Sequence, residues 1–182
     1  MKVACTGSVE IFAPVERVFD AIADVEKWPA WLAGVVSAQQ PDHQPIVPKQ
    51  EVYVCLHAGR RRWHESFEVS RLVRNAFLTL EGAYSAARRF DFRLEQRAGF
   101  TRLALTIGYA VFGGRIGAAV DSAFRRRAVQ RLVNESLEHL KHRVEDAADV
   151  PGDFGDLGIV SAGAVPVPMA LSARPSEPAR IT

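Results

Sequence analysis

Glu65 is the residue whose setting most suggests chemistry. It stands between Trp63 and Phe67, in phase with both, on an alternating stretch whose other side is His64, Ser66, Glu68 and Ser70. A slip of one residue would expose both aromatics, so the phase predicts that Glu65 faces the interior. A carboxylate taken out of water becomes neutral or finds a cation. Arg88, in phase with Phe90, is the candidate cation. An interior carboxyl can serve as a general acid or base, and Tyr109 offers a second group able to move a proton. The alternative for Glu65 is structural: a strand-edge residue pointing to water, or one half of an ion pair with Arg88.

Trp63, Phe67, Phe90, Phe92 and Tyr109 fall on the apolar sides of three strands, Phe124 on the apolar stripe of a helix, and Trp31 at the expected mouth of the fold. As a set they suit a pocket for a flat, apolar ligand. Each one alone is equally at home in a core.

Other reactive residue types lack partners. His57 and His64 stand singly near strand ends, and His139 and His142 are three apart on the helix. Two ligands do not make a zinc site, so all four are expected at the surface, with no metal and no cofactor. Cys5 and Cys55 sit in no CxxC pair and read as packed thiols. Arg60-Arg61-Arg62 and Arg125-Arg126-Arg127 could meet phosphate or RNA. The first run, however, sits at a turn, and the second spreads around a helix. Both read as solvated, with Arg127 or Arg131 the candidates to turn inward toward an anionic ligand group.

The elements that must position these groups follow from periodicity. Residues 3–12 alternate, with Val3, Cys5, Val9 and Ile11 on one side. Pro14 then opens a short helix carrying Val18, Phe19, Ile22 and Val25, since its missing N–H needs no partner in a first turn. Lys27 to Leu32 reads as a break and a second short helix. Strands follow at 35–40, 51–58, 63–70, 77–82, 89–95 and 102–111, joined mostly by short turns, which favours an antiparallel meander. From Arg115 to Asp146 the period becomes 3.6: Ile116, Val120, Phe124, Ala128, Leu132, Leu140 and Val144 form a stripe widened by Val129, Val133 and Leu137. A helix of ~32 residues is roughly 48 Å long, enough to lie across several strands.

This order resembles the START/SRPBCC superfamily and its helix-grip fold, with the polyketide cyclase/dehydrase-like proteins as the most similar subgroup. The resemblance rests on Val9-Glu10-Ile11-Phe12-Ala13-Pro14 running into Val15 to Asp24 and then Trp28-Pro29-Ala30-Trp31. It rests also on Gly99-Phe100-Thr101-Arg102-Leu103 and on the helix end Ser136 to Lys141. It implies an α+β fold: a curved antiparallel sheet of about seven strands around a long C-terminal helix, with two short helices after the first strand. It implies a small, largely apolar or aromatic ligand. Members bind lipids, sterols, polyketides and hormones, and only some are enzymes.

Composition sets the outer limits. The chain has 182 residues, two cysteines and a net charge of +2. No disulfide framework is available, and no DNA partner is indicated. The basic residues are concentrated: residues 59–127 carry 14 against 6 acidic ones. The uncharged run 157–173 is too short and too rich in proline to span a bilayer, and the opening residues do not read as a signal peptide. A cytoplasmic location is expected. Residues 1–148 form the expected ligand-binding domain and 149–182 a flexible Pro/Gly/Ala-rich tail. The expected function is enclosure of a small, largely apolar molecule in a cavity between the sheet and the long helix. Catalysis would be cyclisation or dehydration of a polyketide-like substrate, with Glu65 and Tyr109 moving protons and Trp31, Trp63, Phe67, Arg88, Phe90, Phe92 and Phe124 binding the ligand. A non-catalytic lipid or quinone carrier is the alternative, and an RNA- or ribosome-binding module a weaker one.

Overall fold

The structure is a computed structural model. It describes residues 2–41, 45–58, 61–110 and 114–149, with the side chains of 2, 58, 86, 110, 114–124, 148 and 149 excepted. All of these fall in one compact unit, Met1–Val150. The segment read above as a tail lies, beyond Asp149, outside the described residues.

Seven strands form one antiparallel sheet: β1 Lys2–Ile11, β2 Val35–Gln39, β3 Glu51–Ala58, β4 Arg61–Val73, β5 Phe77–Gly82, β6 Ser85–Arg97 and β7 Phe100–Ala110. The spatial order is β1-β7-β6-β5-β4-β3-β2, a meander whose first strand returns to pair with its last. The turns carry the residues such turns demand. Asn75, between β4 and β5, has φ 62°, and Gly99, between β6 and β7, has φ 85°; Gly and Asn enter this left-handed region at least cost. Arg61 and Arg62, read above as part of a turn, are paired strand residues opposite Ala58 and His57.

The strand alternation sorts side chains as the sequence indicated. On β1, Cys5 and Ile11 are buried while Ala4, Thr6, Ser8 and Glu10 are exposed. The sheet curls into a half-barrel, and its concave face is the apolar one. Two short helices close one end: α1, Val15–Ala23, and a 3-10 helix, Val25–Ala30. Pro14 precedes the first turn of α1, and the Val15 N–H donates to Gln96 Oε1 at 2.8 Å, so a β6 side chain caps the helix. The Thr101 hydroxyl donates to the Ala13 carbonyl at 2.7 Å, fixing the entry to the helix against β7.

The long helix α2, Gly114–Asp149, lies mainly on β1 and β7. Its core contacts are Val133, Leu137, Leu140 and Val144, together with a buried Ser136. These four apolar residues all belong to the predicted stripe, of which Ala128 is exposed and Leu132 only half-buried. Ser136 is the polar member of the seam. Its Oγ accepts from the Ala33 N–H at 2.9 Å and donates to the Leu132 carbonyl, so a polar residue sits in the seam and pins the loop after the 3-10 helix. Gly7 lets helix and strand approach closely, since a Cβ there would lie 2.8 Å from Val133 Cγ1. Arg125, Arg126, Arg127 and Arg131 are all exposed. Neither Arg127 nor Arg131 turns inward, because both lie off the seam that Val133 and Leu137 define.

Candidate functional site

The concave face changes character along its length, and β4 shows this most directly. Exposure is 0% at Val69, 1% at Phe67, 4% at Glu65 and 36% at Trp63, four residues pointing the same way. One end of the face is closed and the other open to solvent.

The closed end is a packed set of aromatic rings. Trp28 meets Phe90 at 5.5 Å between centroids, Phe92 at 5.8 Å and Trp31 at 6.3 Å. Phe67 meets Phe90 at 5.1 Å, and Trp31 meets Phe92 at 6.0 Å. Most of these are edge-on or tilted, the arrangement the ring quadrupole favours. Trp28 Nε1 donates to the Ile22 carbonyl at 2.8 Å, so its polar atom is satisfied inside the core. Phe67, Phe90 and Phe92 are therefore interior as expected, and they pack on each other rather than stand apart.

Two expectations are corrected here. Trp31 is not at the mouth but 2% exposed. It follows the 3-10 helix, which packs on β2 and α1, and its ring meets Trp28 and Phe92 in the closed end. Trp63 has the inward phase but is a third exposed, because it lies near the β4 terminus, beyond the cover of the short helices. The Phe124 side chain lies outside the described residues. Trp28, at the centre of the cluster, was missed. It follows no strand period, although two tryptophans flanking Pro29 directly after an amphipathic helix were a usable signal.

At the boundary between the two ends stands an ion pair. Arg88 Nη1 donates to Glu65 Oε2 at 2.8 Å. The Glu65 side chain is 1% exposed and that of Arg88 39%. The pair is thus buried at its acidic end and wet at its basic end. Gly82, opposite Phe67, makes room for the carboxylate: a Cβ there would lie 2.8 Å from Glu65 Oε1. Oε1 itself is sealed from solvent and has no hydrogen-bond partner among the described residues. The β6–β7 register runs as far as Arg89 opposite Gly108, and Tyr109 pairs with Val3 of β1. Tyr109 is half-buried. Glu65 and Arg88 therefore make a short polar row from β4 across β5 to β6, with Phe67 and Phe90 on one side and Trp63 on the other.

The remaining reactive groups stand apart from this row. His57, His64, His139 and His142 are exposed, and no cluster able to hold a metal occurs among the described residues. Cys5 is buried on the concave face of β1, and burial pushes its thiol pKa up, an effect that nearby Arg126 partly opposes. An open groove of about 850 Å³ lies between α1, the 3-10 helix and the end of α2. Arg17, Lys27 and Arg143 line it together with Asp20, Asp24 and Asp146, so its charges largely cancel. Among the described residues no helix is long and apolar enough to cross a membrane.

Comparisons with known proteins fit this architecture. A family model described as polyketide cyclase/dehydrase and lipid transport matches residues 2–145. No curated protein matches the chain. Among solved structures, the KanY protein is similar with TM-score 0.64 and 19% identity, over 80% of this chain and 99% of that one. TTHA0849 from Thermus thermophilus gives TM-score 0.63 and 20% identity over 80% and 99%. The Zhui aromatase/cyclase from a Streptomyces species gives 0.55 and 16% over 81% and 98%. At these identities the likeness speaks for the fold alone.

Proposed function

This chain belongs to the polyketide cyclase/dehydrase and lipid transport family, and from that premise we propose that it binds a small, largely apolar molecule at the open end of its concave face and promotes its cyclisation or dehydration. The observation that carries this reading is the Glu65–Arg88 pair, a carboxylate buried at the edge of an aromatic wall and next to a solvent-reached Trp63. In the catalytic form, Glu65 takes a proton from the carbon beside a carbonyl of a polyketide-like substrate. That carbon attacks a second carbonyl of the same molecule, forming the ring bond. Tyr109 gives a proton to the oxygen so created, and the proton then on Glu65 restores the phenol. Loss of that hydroxyl with a neighbouring proton, as water, is the dehydration. The aromatic wall contributes shape, holding the chain in the one fold that brings the reacting carbons together.

A non-catalytic carrier is the second reading, favoured by the mutual packing of the closed-end rings, which leaves Glu65, Arg88 and Tyr109 as the few polar groups on the face. Native mass spectrometry of the purified protein, with any co-purified molecule identified, tests binding. Single turnover of that molecule separates the readings. In an enzyme, Glu65→Gln ends product formation from substrate already bound. A carrier yields no product with either protein. Absence of any apolar ligand, co-purified or added, would overturn both.

A further inference from the structure

We propose that the projecting end of the β3–β4 hairpin docks on an anionic lipid surface, with the β5–β6 turn as a second point of contact. The proposal concerns the outside of the molecule and does not rest on the ligand reading above. It starts from strand pairing. β4 pairs with β5 only from Phe67, opposite Gly82, to Val73, and the Ala83 N–H reaches the Ser66 carbonyl at 2.9 Å. From Glu65 back to Arg61 the paired neighbour of β4 is β3 alone, as far as Ala58. The hairpin end is thus a two-stranded ribbon standing clear of the sheet on its β5 side.

That ribbon is basic and carries an aromatic. His57, Arg61, Arg62 and His64 are exposed, and Arg60, next in sequence, adds a third guanidinium charge. Neither Arg61 nor Arg62 has an ion-pair partner among the described residues. The ribbon's one acidic residue, Glu65, is buried and already held by Arg88. Trp63 is 36% exposed on the ribbon, and Tyr84 is 89% exposed on the adjoining turn. Guanidinium groups bind phosphate oxygens. Trp and Tyr settle at headgroup depth, where the ring is in an apolar layer and the N–H or O–H is wet. Farther along the same strands the charge reverses: Glu68 stands directly opposite both Glu51 and Glu81. A lipid surface touches the tip and leaves that acidic row in water. A nucleic acid laid along the hairpin would bring its phosphates onto the row. The distribution of charge therefore favours lipid phosphate.

Co-sedimentation of the whole protein with vesicles tests this. One set is phosphatidylcholine alone, the other an equal mixture of phosphatidylcholine and phosphatidylglycerol. The wild type is expected to bind the anionic vesicles, to bind the neutral ones far less, and to be released by added salt. Arg61→Gln with Arg62→Gln should weaken binding to anionic vesicles roughly thirtyfold, the combined effect of two arginines near a charged surface. Arg97→Gln with Arg102→Gln makes the same change of charge at the opposite end of the sheet and should leave binding nearly unchanged. On the anionic vesicles tryptophan emission should shift to the blue. Trp28 and Trp31 are already buried, so Trp63→Phe should abolish that shift. A wild type that does not prefer the anionic vesicles overturns the proposal whatever the variants do, and so does an equal loss in the two double variants. Tighter binding of a single-stranded RNA, lost with Arg61 and Arg62, would overturn it in favour of a nucleic-acid contact. Self-association in place of vesicle binding, abolished by the same variant, would overturn it in favour of a second copy of the chain.

Discussion

At the closed end of the concave face, Trp28, Trp31, Phe67, Phe90 and Phe92 touch one another and are at most 5% exposed. At the open end β4 and β6, the strands of Phe67, Phe90 and Phe92, also present Trp63, Glu65 and Arg88, which range from sealed to partly exposed. Identical alternation thus produces two kinds of surface. The difference comes from what lies above: α1 and the 3-10 helix cover one end, and the described α2 residues drawn into the core are Val133, Ser136, Leu137, Leu140 and Val144. Side-chain phase fixes which face a residue occupies, while the covering element fixes how dry it is. Stability should therefore concentrate at the closed end and ligand chemistry at the open one.

The largest effect tests that division. Trp28→Ala removes the central ring and its bond to the Ile22 carbonyl, and should cost about 3–5 kcal/mol in urea unfolding. Trp63→Ala, on the same face but a third exposed, should cost no more than about 1 kcal/mol. Comparable losses at the two tryptophans would break the comparison.

A middle-sized effect lies at the boundary. The ion pair is asymmetric in exposure, so its two halves should not be equivalent. Arg88→Met strands a carboxylate that is 1% exposed. Breaking a fully buried pair costs 3–5 kcal/mol; because the arginine end is wet, about 2–3 kcal/mol is expected here. Glu65→Gln leaves a guanidinium that can turn to water and keeps an oxygen for it, and should cost about 1 kcal/mol or less. Equal costs in thermal or urea unfolding would mean that the carboxylate is wetter than its burial indicates.

Much of this was legible in the sequence, for reasons that also explain the misses. Seven strands and the long helix follow from periods of 2 and 3.6, which survive because each element has one buried side. The inward Glu65 follows from phase, which also made Arg88 one of its candidate partners. Depth does not. Nothing in the alternation of β4 distinguishes Trp63 from Phe67, because cover comes from elements distant in sequence. Trp31 was misplaced for the same reason. In the helix seam only Ser136 was passed over, because it is polar yet buried, its hydroxyl used by the Ala33 N–H, and a hydrophobic count omits such a residue. Trp28 was hidden in a segment read as a break, where no period exists to reveal a buried face.

The smallest effect probes how dry the open end is beneath α2. Cys5 lies on the concave face of β1, and its Sγ–H donates to the Arg126 carbonyl at 3.6 Å. Its folded pKa is raised, first by burial, with Arg126 opposing. An unfolded thiol ionises near pH ~8.5, so over the next stretch of pH the unfolded chain loses its proton while the folded one keeps it. The unfolded state then binds fewer protons, and stability must fall as pH rises. The contribution is complete below the unfolded value and is lost as pH climbs to the folded one. Cys5→Ser removes the titrating group without moving the backbone, so the wild-type decline in urea midpoint above that pH should exceed the variant's by a small, reproducible margin. Alkylation by iodoacetamide should be slower at Cys5 than in the unfolded chain for the same reason. If wild type and variant decline in parallel, or Cys5 alkylates at the unfolded rate, water reaches the strand beneath α2. The dry part of the face would then end before β1.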